Sequence, residues 1–388
     1  MVAIFFTGSS VSTILGAKID VILLLFGFLC CLIVDPTVYL SRKASPEILF
    51  IGAMAIGVLF SFTVYMKENA WLDQILFLLQ LLLAYSISRR MKFSDFSRIF
   101  SSIMVWLTLI SSAVLFLTSM GVHIPSFTYK GMDVGYGSLQ YHSILFSSWY
   151  NDQKSIMGPF WEPGIYASMA IFAIILEGCF RTEKPRLLNI LVLSIGVFLS
   201  FSTAGYILWV LAMYIVFCKN TKRSTKIWVD VLTIAICIFL FFAADYIIDL
   251  LYMWKPAVFY KLRESSMSAN TRLYSPIASF LVFCKNPFTG MGLTLATEQY
   301  NLYKYVFPID ALTNTNFQLL AEFGIWGISY TIFFLRGCFR RKEFSNIQKA
   351  MFVVLTFLIL NKEPHESFVI TSTIIFYLNK REEHAPSL

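Results

Sequence analysis

Stretches of about twenty apolar residues follow one another along almost the whole chain, and they limit the folds open to it. Apolar residues make up 57% of the 388-residue sequence and charged residues 14%, whereas a soluble domain has about 25% charged residues. Segments that reach or approach the length of a membrane span are 19–40, 46–66, 70–88, 99–121, 159–180, 186–202, 203–218, 227–244, 316–337, 346–361 and 366–379. The sequence therefore predicts an all-α, polytopic transmembrane helix bundle, with residues 1–388 as a single integral membrane domain.

Charge predicts how this bundle is oriented. The connectors that hold 20 of the 31 Lys and Arg residues are 35–47, 89–98, 181–186, 219–226, 336–349 and 379–388. Short basic connectors mark the cytoplasmic side, so we expect the C-terminus inside. If residues 2–16 also span, the chain has about twelve helices, and otherwise eleven. The net charge of +8 follows from this bias and from attraction to anionic lipids, and it needs no nucleic acid as a partner.

Two long polar segments fall on the opposite, external side. Residues 122–157 are predicted to form one external loop, and residues 245–315 a larger external loop with short helices. Irregular backbone is not tolerated in lipid, because each unpaired group there costs several kcal/mol. We expect this side to carry the chemistry. The cations of the larger loop are Lys255, Lys261, Arg263, Arg272, Lys285 and Lys304.

Arg272 stands out among these cations. Ser-Met-Ser-Ala-Asn at 266–270 is typical of a helix cap and would place Arg272 in a first helical turn. The helix dipole disfavours a cation there, so we expect an anionic partner for it. Asn286-Pro287 should end the helix, and Gly290-Met-Gly292 should form a flexible turn.

Carboxylates gather near the same outer boundary. Asp73, Glu162 and Glu322 are each predicted in the first turns of a span that follows an external loop. An acid suits the first turn of a helix, so each fits a solvated helix start, while the three together also fit a shared polar cavity. Near the cytoplasmic ends, Glu177 and Asp230 are expected to be solvated at the membrane interface.

The motifs of several enzyme classes are absent. No GxxxxGK[ST], HExxH, GxSxG or CxxC occurs, and no Asp-x-Asp pair supports a metal-dependent sugar-nucleotide site. Chemistry that suits Arg, Lys and carboxylates is transfer from a pyrophosphate leaving group. A cation neutralises the departing phosphates, and a carboxylate or His accepts a proton from the attacking hydroxyl. His142 and His365 are external, and we expect surface or structural roles for them.

Four segments together resemble O-antigen polymerases of the Wzy type. Residues 158–167 look like the family's G-x-F-x-E-P-x-x-x-A, and residues 200–206 look like its S-x-S-x-x-G turn. Residues 272–292 are similar to its R…N-P-x-x-G-x-G stretch, and residues 314–327 look like its N-x-x-x-Q-L-L-A-E-x-G-I-x-G. The order of these motifs, with the span count and loop placement, carries the resemblance over roughly residues 155–330.

The resemblance implies a function. Such proteins join undecaprenyl-pyrophosphate-linked oligosaccharide repeat units at the periplasmic face of the bacterial inner membrane, and the growing chain passes to a new lipid-linked unit. They need no metal ion or cofactor, their fold resembles the GT-C class, and a chain-length regulator protein stays open as a partner. Basic residues of the two outer loops are held to bind the pyrophosphate. Here these would be Arg272 and Lys154, the latter where the family often has Arg.

Other roles follow from matching residues. Glu162 and Glu322 are the candidate catalytic residues, as bases or sugar-binding groups, and a structural role inside the bundle stays open for both. Related O-antigen ligases usually carry His-Asn where this chain has Thr313 before an Asn, which favours polymerase over ligase. The candidates for binding sugar hydroxyls are Asn314, Asn316 and Gln318.

Three alternatives stay open. An O-antigen ligase would use the same donor with lipid A-core as the acceptor. A flippase or secondary transporter would be expected to show internal repeats, and we find none in this sequence. A membrane assembly factor without catalysis would tolerate loss of Arg272.

Overall fold

The structure is a computed structural model in which the chain is a helix bundle with one small sheet. It describes residues 17–34, 45–64, 71–130, 140–144, 146–150, 155–181, 184–220, 267–309, 312–341, 344–362 and 368–380, with positions 225, 227, 231, 249, 250, 252, 253 and 365. Residues 2–16, the greater part of 227–266, Lys154 and Asp230 lie outside this description.

The helices agree with the apolar segments. Those before residue 220 are α1 (Ala17–Val34), α2 (Pro46–Val64), α3 (Trp71–Arg90), α4 (Phe93–Ser119), α5 (Pro163–Cys179), α6 (Leu187–Leu199) and α7 (Thr203–Asn220). Those after residue 266 are α8 (Met267–Lys285), α9 (Gly292–Leu302), α10 (Thr315–Phe323), α11 (Ile328–Arg340), α12 (Asn346–Lys362) and α13 (Val369–Asn379). Short 3₁₀ turns are Tyr303–Tyr305 and Gly324–Gly327. The predicted all-α bundle is confirmed.

The surface of this bundle is apolar. In the described part of the chain, Phe93–Ser119 and Thr315–Arg340 are long and apolar enough to cross a bilayer, with mean hydropathies of 2.1 and 1.3. Shorter apolar helices accompany them. On α6, Leu187, Leu191 and Ile195 point outward, the pattern expected of a helix that faces lipid. The number of spans and the likeness to the GT-C class stay predictions.

Two helices form the centre. Every residue of α5 and α13 is buried, as expected for helices that are apolar on all sides. α5 packs against α4, α6 and α7, while α13 packs against α3 and α11. The outer ends of these central helices therefore lie among neighbours, and this is where the motif segments are found.

The predicted loop 122–157 contains a sheet that we did not expect. Its strands are β1 (Phe127–Lys130), β2 (Gln140–Ile144) and β3 (Ser147–Tyr150), antiparallel in the order β1-β2-β3. His142 lies opposite Trp149, with the two rings stacked at 5.5 Å between centroids. Ser126 Oγ lies 3.1 Å from His142 Nδ1. Pairing satisfies backbone groups that an open loop would leave to water.

Basic side chains bond to helix carbonyl groups at the end predicted to be cytoplasmic. Lys219 Nζ donates to the carbonyl oxygen of Cys179 at 2.6 Å, and Lys380 Nζ donates to that of Ser88 at 2.8 Å. Both carbonyls lie in last turns, where no helical N–H reaches them. Cations also suit the negative end of a helix dipole. The basic connectors thus complete the helices beside them.

The expectation that Glu177 is solvated is wrong. Its side chain is 0% exposed, its Oε1 accepts a hydrogen bond from Arg181 Nη1 at 2.6 Å, and the backbone N–H of Arg186 donates to the same oxygen at 3.0 Å. The reason is that α5 is enclosed along its whole length. A carboxylate buried in such a place must be paired.

Candidate functional site

Two motif segments interlock at the end of the bundle opposite the basic connectors. The turn 286–292 between α8 and α9 packs against the break between α10 and α11. Ile325 N–H donates to the carbonyl oxygen of Pro287 at 2.7 Å, and Met291 N–H donates to that of Ala321 at 3.0 Å. These bonds satisfy backbone groups that the helix break would otherwise expose. We call this contact the turn–break joint.

Glycine is required on both sides of the turn–break joint. Gly290 has a φ of +65° and Gly324 a φ of +62°, a conformation that only glycine adopts readily. A Cβ atom at Gly290 would lie less than 3.0 Å from the carbonyl oxygen of Glu322, and one at Gly324 would lie 2.7 Å from the nitrogen of Gly290. The turn predicted to be flexible is therefore a close backbone contact that holds Glu322 in place.

Hydrogen bonds join α8 to the start of α10. Asn314 is the N-cap of α10 but makes no cap bond. Instead its Nδ2 donates to Ser275 Oγ at 2.8 Å and to Ser279 Oγ at 3.3 Å. The N–H of Thr313 also donates to Ser275 Oγ, at 3.2 Å. We call this contact the α8–α10 seam, and it fixes the helix that carries Arg272.

Two predicted site residues form one buried pair on α10. Gln318 Nε2 donates to Glu322 Oε1 at 2.7 Å, and both side chains are buried. With Ser279 and Tyr300 they line a cavity of about 10 Å³, which is room for about one water molecule. Spacing of four residues places both side chains on one helix face. Glu322 thus lies beside α8 and α9, inside the bundle.

The three candidates for binding sugar are all buried. Asn314 and Gln318 bond within the bundle as described, and Asn316 Oδ1 accepts from Thr331 Oγ1 at 3.0 Å. The bonds of Asn314 and Asn316 join α10 to α8 and α11, whereas the bond of Gln318 lies within α10. Their role with a sugar stays a prediction, and their bonds are those of residues that hold helices together.

A buried lysine that we did not single out joins two further motif segments. Lys362 ends α12 and is 5% exposed. Its Nζ donates to the carbonyl oxygen of Gly164 at 3.1 Å and to Ser202 Oγ at 2.9 Å. Gly164 lies in the first turn of α5, and Ser202 directly precedes α7. The sequence did contain a signal for this residue, because it is a cation at the boundary of the apolar span 346–361. Placing a charge there is costly unless the charge is hydrogen-bonded.

We call Lys362 together with Gly164 and Ser202 the lysine cluster. Glu162 lies close to it in the sequence, two residues before Gly164. It is the N-cap of α5, with Pro163 at the first helical position, where proline is favoured. The preceding loop packs against the bundle, since Ile156 N–H donates to the carbonyl oxygen of Leu199 at 3.0 Å. The loop turns at Gly158, which has a φ of +60°. The predicted helix-start position of Glu162 is confirmed.

The segment after α12 connects this cluster to α10. The N–H of His365 donates to Thr315 Oγ1 at 2.7 Å, and Thr315 is the first residue of α10. His365 is fully buried, which agrees with the structural role expected for it. The outer ends of α5, α7, α10 and α12 thus meet around residues 362–365.

Arg272 departs from its predicted place by one turn. α8 begins at Met267, so Arg272 lies in its second turn, because residues 268–270 continue the helix instead of capping it. The conflict with the helix dipole that we expected is weaker there, since the dipole acts within the first turn. Asp73 lies in the first turn of α3, as predicted.

A family comparison bears on this region. Residues 188–332 match the model of the O-antigen ligase family, whereas no curated protein and no solved structure matches the chain. The matched range contains Arg272, the α8–α10 seam and the turn–break joint, and it excludes Glu162 and Lys362. Residues 188–332 are therefore similar to the O-antigen ligase family, and three of the four motif segments fall within this range, as the motif resemblance predicts.

Proposed function

We propose that this chain polymerises undecaprenyl-pyrophosphate-linked O-antigen repeat units at the periplasmic face of the inner membrane. A hydroxyl of the new lipid-linked unit attacks the anomeric carbon of the growing chain, and the bond from that carbon to the pyrophosphate breaks. The pyrophosphate leaves with the electron pair, and the hydroxyl proton passes to a base. The product is a chain longer by one unit on the acceptor lipid.

The α8–α10 seam is the observation that carries this proposal. It holds the helix of Arg272 against the helix of Glu322 through the bonds that Asn314 makes to α8. A guanidinium is well shaped to bind phosphate oxygens, and a carboxylate can accept a proton. These are the two groups that transfer from a pyrophosphate requires, and both lie within the range that matches the family.

Polymerase is preferred to ligase because of Thr313. The resemblance places the ligases' candidate basic histidine at this position, and here a buried threonine binds Ser275 through its backbone. A threonine hydroxyl cannot accept a proton near neutral pH. Ligation to lipid A-core is the second candidate, because the matching family model carries the name of ligases. A flippase or transporter has no such support.

We propose that the reaction proceeds without a metal ion. Cations of the outer segments would neutralise the leaving group, with Arg272 as the main contact and Lys154, which lies outside the described residues, as a second. The acyl tails of both lipids would enter between helices, so the site would open to the bilayer as well as to the periplasm. A chain-length regulator protein is the partner we propose to test for.

The lipopolysaccharide of a deletion strain tests the function. We expect a single repeat unit on the core, since units would still be made and ligated but not joined. Absence of any unit would assign the chain to ligation or flipping, and an unchanged ladder would exclude all three.

Purified protein should also join lipid-linked units in EDTA. A strict requirement for a divalent metal would contradict the metal-independent reaction.

Glu322→Gln tests the proposed base. The glutamine can still accept the bond from Gln318, so we expect the fold to be kept. Loss of a general base lowers turnover by about 100-fold or more, whereas affinity for the lipid donor should change less than about twofold. Single-turnover rates and donor binding measure the two quantities. Glu298→Gln, which changes an exposed carboxylate on α9, should alter neither. Equal loss of rate and affinity in Glu322→Gln would assign it a structural role.

Lys362→Met tests the lysine cluster. The change removes the ammonium and its two hydrogen bonds, while Gly164 O still accepts from Ser168 Oγ and Ser202 Oγ still accepts from Gly205 N–H. Loss of a hydrogen bond from a charged group costs about 1.5–3 kcal/mol. We expect a lower thermal midpoint in detergent and a shorter O-chain ladder. Lys304→Met, at an exposed position, should affect neither.

A double-mutant cycle with Ser202→Ala decides whether the contact itself matters. If Lys362 and Ser202 act together, the double variant loses less stability than the sum of the two single variants. Strict additivity would mean that the bond between them contributes nothing measurable, and the cluster would lose its proposed role in positioning α5 and α7.

A further inference from the structure

A pocket of about 410 Å³ lies between α1, α3 and α4, at the end of the bundle with the basic connectors. Volumes of this size are typical of ligand sites. It is separate from the lysine cluster and the turn–break joint, which lie at the other end. The lining residues are Cys31, Ile87, Arg90, Met91, Lys92 and Asp95.

The polar part of this pocket favours an anion. Arg90 lines it beside the thiol of Cys31, and the exposed Lys92 is the N-cap of α4. The one acid that lines it, Asp95, lies 3.6 Å from Arg98 Nη2, which offsets part of its charge. The N-terminus of a long helix adds a positive potential and free N–H groups. Two cations and a helix start thus face the same space.

The outer face of α1, beside the pocket, is apolar. Ile22, Phe26, Leu29 and Ile33 are 62%, 61%, 54% and 83% exposed, and their spacing places them on one face of the helix. In a bilayer such a face contacts acyl chains. Cys31, which lines the pocket, lies on the opposite face of α1 from these residues, so the pocket is formed beside a helix whose outer face contacts hydrocarbon.

We propose that this pocket binds the headgroup of an anionic phospholipid from the cytoplasmic leaflet. Its phosphodiester would lie against Arg90 and Lys92 at the start of α4, and its acyl chains would extend into the hydrocarbon beside the helices. Basic pockets between helices on the cytoplasmic side are suited to such headgroups. The site takes no part in the proposed sugar transfer, so the two proposals stand or fall separately.

Lipid retention by the purified full chain tests this site. After detergent exchange, the protein is titrated with phosphatidylglycerol, phosphatidylethanolamine or inorganic phosphate, and bound species are counted by native mass spectrometry. We expect phosphatidylglycerol to be retained at least tenfold better than phosphatidylethanolamine. Equal retention of the two lipids would overturn the proposal. Binding of inorganic phosphate as tightly as of phosphatidylglycerol would identify a free-anion site and overturn the lipid assignment.

Matched variants separate the pocket from general surface charge. Arg90→Gln with Lys92→Gln should lower phosphatidylglycerol retention at least tenfold. Lys184→Gln with Lys349→Gln removes the same charge from basic connectors outside the pocket and should change retention less than twofold. Equal loss in both pairs would overturn the proposal. If the first pair fails to fold, Lys92→Gln alone changes only an exposed side chain, and retention unchanged from wild type would again overturn it.

Discussion

Gly290→Val is expected to eliminate folded protein from the membrane. Valine at a φ of +65° is strained by about 1–3 kcal/mol, and its Cβ would collide with the backbone of Glu322. The backbone cannot move aside as easily as the end of a flexible side chain. The turn–break joint must therefore open and lose the bond between Met291 and Ala321. We expect a total loss of about 3 kcal/mol or more. The measurements are the yield of monodisperse protein in detergent and its thermal midpoint.

Gly52→Ala is the matched control for this change. Gly52 lies inside α2, and a Cβ there would meet no atom within 4 Å. Alanine is favoured over glycine in a helix by roughly 1 kcal/mol, so stability should be unchanged or slightly higher. Gly324→Ala approaches the joint from its other side and should also destabilise the protein. Wild-type yield and midpoint for Gly290→Val would mean that the joint is not as described.

Arg272→Ala is expected to abolish long O-chains while the protein level stays normal. Under the proposed function this residue binds the donor pyrophosphate, and hydrogen bonds to a charged group contribute about 1.5–3 kcal/mol. Their loss lowers transfer roughly 10- to 150-fold. Arg272 is partly exposed in the second turn of α8, and the seam bonds are made by Ser275 and Ser279 of that helix, so the fold should survive. Gel banding of lipopolysaccharide and the dependence of rate on donor concentration measure the effect.

Two further variants sharpen the test of Arg272. Arg272→Lys keeps the charge but not the planar fork, and we expect intermediate chain lengths. Lys304→Ala removes an exposed cation of the same outer segment and should leave the ladder unchanged. A normal ladder in well-expressed Arg272→Ala would refute the proposed contact with the donor.

Much of the fold was predictable because bilayer thickness and hydropathy act locally. The runs of apolar residues predicted the helices, and Glu162, expected in the first turns of a span because an acid suits that position, lies at the start of α5. The sheet within 122–157 was not predicted. Its strands are only four or five residues long, so their alternation of polar and apolar residues is weak. Such strands are hard to distinguish from loop within a long polar segment.

The candidate site was predictable only in part, because its geometry depends on contacts between distant segments. The motifs drew attention to Gly290 and Glu322, but the close approach of their backbones is a tertiary fact that no local pattern contains. Lys362 follows the predicted span 346–361 and was not singled out, although its neighbours Gly164 and Ser202 both lie in motif segments. Glu177 was misjudged for a similar reason, since its burial follows from the helices around α5.

The contacts of Lys219 and Lys380 tie membrane insertion to the finished fold. Positive residues that flank a span help to decide which way it is threaded into the bilayer, and here two of them afterwards bond to helix ends. Replacing either lysine to reverse the orientation of a span would therefore also remove the hydrogen-bond donor of a carbonyl group. In this chain, the same two lysines therefore favour one orientation during insertion and stabilise the folded bundle.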